Sequence, residues 1–108
     1  MCIRDSSANI PKALAIPETL RTLHDTLSAQ DSFDIQAIKT RSMTPQHFIT
    51  GDHPEAPYLH LTLALLQGRT AAQLKNAGDQ LFSILQRYGA GCKISLEIRQ
   101  MDSEVYWK

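Results

Sequence analysis

The chain has 108 residues, enough for one domain, and its 11 lysines and arginines balance 11 aspartates and glutamates to a net charge of zero. With no basic excess and few aromatic residues, a nucleic-acid partner is not expected. No apolar run approaches the roughly 18 residues that cross a bilayer, and 1–6 offer no apolar segment of a secretory signal. Cys2 and Cys92 form neither a disulfide framework nor a Cys-x-x-Cys pair, so a reduced, cytoplasmic protein with stray thiols is expected.

In chain order, Ile16, Leu20, Leu23 and Leu27 recur at spacings of four, three and four, which predicts an amphipathic helix over about 17–29. Pro17 suits its first turn, where a missing N–H costs nothing. Residues 35–41 read as a strand with Ile35, Ala37 and Lys39 on one face, and Pro45 interrupts it. Phe48 and Ile49 are expected to form a short edge strand. Residues 50–54, Thr-Gly-Asp-His-Pro, are a turn.

The strongest strand signal is Tyr58 to Leu66, where Leu59, Leu61, Leu63 and Leu65 alternate with Tyr58, His60, Thr62 and Ala64. Pro57 and Gly68 bound it. Thr70, with Gln73 three residues later, has the form of a capping box opening a second helix. Leu74, Ala77, Leu81, Ile84 or Leu85, and Tyr88 mark its buried stripe, and Gly89 and Gly91 end it. Ile94, Leu96 and Ile98 then alternate with Ser95, Glu97 and Arg99 as a last strand. With a strand ahead of Ser7, the order becomes β-α-β, β-α-β, an α+β fold whose helices cover one face of a mixed sheet. Oligomerisation is a ready way to cover the other face.

Five strings, in register over residues 7–108, resemble the 5-carboxymethyl-2-hydroxymuconate isomerases of the tautomerase superfamily. Ser7-Ala8-Asn9-Ile10 is similar to the Ser-Asp-Asn-Ile that follows that family's first strand. Ile38-Lys39-Thr40-Arg41 resembles its basic second strand, and Tyr58-Leu59-His60-Leu61-Thr62-Leu63 its Phe-Val-His-x-Thr-Leu strand. Gln67-Gly68-Arg69-Thr70 is similar to an Ala-Gly-Arg-Ser turn. Ser95-Leu96-Glu97-Ile98-Arg99, followed by Met101-Asp102, resembles Ser-Leu-Glu-Ile-Arg-Glu-Leu-Asp.

The resemblance implies a single tautomerase-like domain over 1–108, assembled as a homotrimer. It implies isomerisation of 5-carboxymethyl-2-hydroxymuconate in homoprotocatechuate breakdown, a step of aromatic catabolism, without metal or organic cofactor. In that family a free amino-terminal proline shuttles the proton, and a base works best with a pKa near the operating pH. No residue here matches it: the catalytic proline is missing, and residues 1–6 resemble translated sequencing-adapter sequence rather than an apolar first strand. The carboxyl end, Tyr106-Trp107-Lys108, is also expected to be truncated, and the 89–93 loop is shorter than usual. The chain as written is therefore expected to bind weakly or not at all, and to be inactive.

Arg69 is the first candidate for substrate binding, because a planar fork matches a carboxylate and the residue precedes a helix N-cap that favours anions. The bland alternative is a solvated turn arginine. Arg41 and Lys39, at i and i+2, are expected on one sheet face as a basic patch. Lys39 falls where some family members have arginine and loses the bidentate geometry. The competing reading for both is a charged outer strand face. His60 is expected to be a packed, hydrogen-bonded core histidine. His24, His47 and His53 share no metal-ligand spacing. Glu97 and Arg99 suit a solvated or inter-subunit face, and no Gly-x-Ser-x-Gly motif supports hydrolysis. Two other functions remain open: a non-catalytic trimeric binding or structural member of the same fold, and a ferredoxin-like regulatory or RNA-binding module. The last would want exposed aromatics where leucines stand.

Overall fold

The computed structural model describes residues 2–6, 16–30, 33–54, 56–89 and 91–107, the side chains of 2–6 and 16 excepted. The order is β1 (Cys2–Ser6), α1 (Ile16–Ser28), β2 (Thr40–Met43), β3 (Tyr58–Leu66), α2 (Ala71–Tyr88) and β4 (Lys93–Met101), with short 3-10 turns at Ile35–Ala37 and Ser103–Val105. The string Ser7-Ala8-Asn9-Ile10 lies outside the described residues.

The four strands form one sheet in the order β2-β1-β3-β4. β1 pairs parallel with β2, and β3 parallel with β4, each pair joined by a helical crossover. The two β-α-β halves meet where β1 runs antiparallel to β3, with Cys2 opposite Leu63 and Ser6 opposite Leu59. The fold class expected from the sequence is the one observed. Cys-Ile-Arg-Asp-Ser is not an apolar run, yet β1 holds a central place. A central slot offers backbone partners along both edges, whatever the side chains.

One face of β3 makes the core. Leu59, Leu61, Leu63 and Leu65 are buried against Leu23 and Leu27 of α1 and Leu81, Ile84 and Leu85 of α2. Each such leucine contributes roughly 1.5–3 kcal/mol when fully buried. Ile94, Leu96 and Ile98 of β4 flank this cluster, half-buried. α2 comes close to β4 at Gly78, where a Cβ would stand 3.4 Å from Ile98 Cδ1. The expected capping box is present: Gln73 N donates to Thr70 Oγ1 at 3.1 Å, and Thr70 N to Gln73 Oε1 at 2.8 Å. Across the helices, the Tyr88 hydroxyl donates to Glu18 Oε1 at 3.3 Å.

Three expectations are corrected. Residues 35–41 are not one strand: Ile35–Ala37 coil into a 3-10 turn, and β2 starts only at Thr40. The Asp34 carboxylate accepts from Gln36 N at 3.0 Å, and this local bond competes with extension. Phe48 and Ile49 form no strand among the described residues. Phe48 instead packs edge-on against Tyr58, ring centroids 5.9 Å apart, and Ile49 is exposed. His60 does not lie in the core. The period of two that sends the leucines toward the helices sends His60 to the opposite face. There it is half-buried, with Nδ1 2.6 Å from Ser95 Oγ and Nε2 3.1 Å from Thr62 Oγ1.

Candidate active site

A cleft of about 500 Å³ opens at the end of the sheet where β2 begins and β3 and β4 finish. One wall is the loop from Phe33 to Lys39. The floor is Ala64, Leu65 and Leu66 at the end of β3. Arg69 enters from the β3–α2 turn, and Met101 and Tyr106 close the far side.

The turn carrying Arg69 is set by backbone chemistry. Gly68 has φ 127°, a conformation side-chain-bearing residues rarely adopt. Thr70 then caps α2 in extended geometry. Arg69 is held between them, half-buried, with Nη1 donating to the Leu66 carbonyl at 3.3 Å. Its guanidinium carbon lies 4.4 Å from the centroid of the Phe33 ring, within cation–π range.

The sequence candidates divide. Arg69 and Lys39 both line the cleft. Arg41 does not; it sits exposed on β2, in register with Ile3 of β1. Lys39 immediately precedes β2. Lys39 and Arg41 are both exposed and alternate with half-buried Ile38, Thr40 and Ser42, and of the two only Lys39 lines the cleft. Cys2 pairs with Thr40 and Leu63, each one residue from a lining residue, Lys39 and Ala64. The start of β1 therefore borders the cleft.

Sequence reasoning missed Phe33, Met101 and Tyr106. Phe33 carried a weak signal, an aromatic stranded in a polar loop. Met101 ends β4 and Tyr106 lies beyond it, and no local pattern announces the approach of either to the cleft. Elsewhere, Glu97 and Arg99 pair with each other on the exposed side of β4, and His24 Nδ1 lies 2.8 Å from Thr40 Oγ1, linking α1 to β2. Burial pushes the Cys92 thiol above its ordinary pKa of 9.0, the opposite of what a nucleophile needs. Among the described residues no cluster of histidine, cysteine, aspartate or glutamate could hold a metal. No described helix is long and apolar enough to cross a membrane.

Comparison with known families decides the affiliation. The family model of the 5-carboxymethyl-2-hydroxymuconate isomerases matches residues 2–108. The chain belongs to the 5-carboxymethyl-2-hydroxymuconate isomerase family. A solved structure of a 5-carboxymethyl-2-hydroxymuconate isomerase from Deinococcus radiodurans R1 is similar at 27% identity and a TM-score of 0.91, covering 99% of this chain and 86% of that one. A 5-carboxymethyl-2-hydroxymuconate delta-isomerase shares the fold at 17% identity and a TM-score of 0.80, over 99% of this chain and 85% of that one. So does a fused 4-OT symmetric trimer, at 10% identity and a TM-score of 0.78, over 97% and 90%. A search of curated protein sequences returned no match. Membership of the isomerase family supports a function of the isomerase or tautomerase type, and the neighbours share the tautomerase fold.

Proposed function

We propose that this chain derives from a cytoplasmic enzyme that isomerises 5-carboxymethyl-2-hydroxymuconate, a step of homoprotocatechuate degradation. The observation that carries the reading is the convergence of Arg69 and Lys39 on one cleft that the start of β1 borders. The substrate is a multiply charged carboxylate. Arg69 would take one carboxylate through its fork, with the nearby N-terminus of α2 adding favourable potential. Lys39 would hold a second as a point charge. Arg41, off the cleft in the protomer, would add long-range attraction rather than contact.

Isomerisation moves a proton between an oxygen and a carbon site and needs a base that takes and returns it. In the proposed mechanism that base is an amino-terminal proline reaching the cleft along β1. Residues 1–6, Met-Cys-Ile-Arg-Asp-Ser, contain no proline. A working site would be one of three in a homotrimer, a reading supported by the trimeric 4-OT neighbour and by the sheet edges left at β2 and β4.

The same cationic cleft also suits a second reading, a non-catalytic binding member of the fold. One experiment separates them: an absorbance assay of 5-carboxymethyl-2-hydroxymuconate on this chain and on a version whose residues 1–6 are replaced by proline and an apolar strand. Turnover only in the replaced version supports the isomerase. Equal turnover in both contradicts the proline mechanism, and turnover in neither, with both folded, favours the binding member.

A further inference from the structure

The cleft's two walls meet where Phe33, in the loop after α1, stands against Arg69, in the turn before α2. Both partners are anchored. The Phe33 ring packs against the leucine core. Its backbone N–H donates to the Gln30 carbonyl at 3.1 Å, and Asp34 caps the following turn through Gln36 N. Arg69 is fixed by the Gly68 turn, by the Thr70 cap and by its bond to Leu66. An arginine sampling many rotamers loses that freedom when it binds a carboxylate. One already seated on a ring has lost it beforehand, and binding gains accordingly.

We infer that Phe33 is the positioning residue for Arg69: its ring holds the guanidinium at the cleft wall before a carboxylate arrives and keeps it there while the carboxylate is bound. Phe33 has no polar atom to offer an anion, so it acts through Arg69. The inference rests on the reading of Arg69 as the carboxylate holder.

The native chain provides a test without mutation. The ring current of Phe33 should displace the Arg69 δ-proton resonances upfield, and the displacement should persist when adipate, a six-carbon dicarboxylate, is titrated to millimolar concentrations. Phe33→Leu should weaken adipate binding about three- to tenfold, while Phe33→Tyr, which keeps a ring face, should stay within about twofold. In the Arg69→Lys background the cost of Phe33→Leu should shrink, because the two residues act as one unit. A role in packing alone would weaken binding by the same factor in either background.

The inference is overturned if the displacement is missing, or vanishes on saturation. It also falls if Phe33→Leu binds adipate like the parent while Arg69→Gln loses binding; that outcome leaves the reading of Arg69 intact. If Arg69→Gln binds like the parent, or the parent does not bind at millimolar adipate, the reading of Arg69 fails and the inference falls with it. Should Phe33→Leu not fold, the native-chain resonances decide.

Discussion

Thr70 and Gln73 satisfy each other's backbone at the start of α2, each side chain accepting from the other's N–H. The box fixes the helix end and, one residue earlier, the exit of Arg69 toward the cleft. Thr70→Ala should therefore destabilise the fold by ~1 kcal/mol. In a domain of this size the melting midpoint should fall by about 4–8 °C. Thermal denaturation followed by circular dichroism checks it, and an unchanged midpoint would mean that the box contributes nothing net.

Core packing makes a larger prediction. Leu61 has 0% of its surface exposed, at the centre of the leucine cluster. Leu61→Ala leaves a cavity and should cost about 2–5 kcal/mol, a large share of the 5–15 kcal/mol a small domain has. Urea titration should show a much lower midpoint or no folded baseline. Ile49→Ala, at 80% exposure, should stay within about 0.5 kcal/mol of the parent.

Binding should rank the cationic candidates by their place at the cleft. Arg69→Gln should weaken adipate binding about tenfold or more, the worth of a charge-assisted hydrogen bond. Lys39→Gln should cost less, because the side chain is exposed and holds a carboxylate only as a point charge. Arg41→Gln should cost least, and its effect should disappear at high salt, where an exposed charge off the cleft is screened. Resonance titration at two ionic strengths reads all three. An effect of Arg41→Gln equal to that of Arg69→Gln would place the site elsewhere.

The Cys92 thiol offers a pH test with a fixed sign. Burial raises its pKa from 9.0, so at any pH below that value it holds less thiolate than an open cysteine. Site-resolved mass spectrometry should find it alkylated by iodoacetamide more slowly than a cysteine in an unstructured peptide, the deficit narrowing as the pH passes above the raised pKa. Faster alkylation would contradict the burial argument.

Features that rest on local chemistry were legible in the amino-acid order. Alternating leucines placed β3 at Tyr58 to Leu66: leucine at this density would also suit a helix, but Pro57 and Gly68 keep the run short. Thr70 and Gln73 located the start of α2, because a cap is satisfied within four residues of chain. Arg69 was legible as a residue beside that cap. Other features follow from contacts between distant segments. Where β2 begins depended on Asp34 winning the local backbone at Ile35–Ala37, a competition that propensity does not settle. The side His60 faces followed from where the helices settled on β3. The meeting of Phe33, Lys39 and Arg69 in one cleft came from strand pairing between distant segments, and no local window contains that pairing.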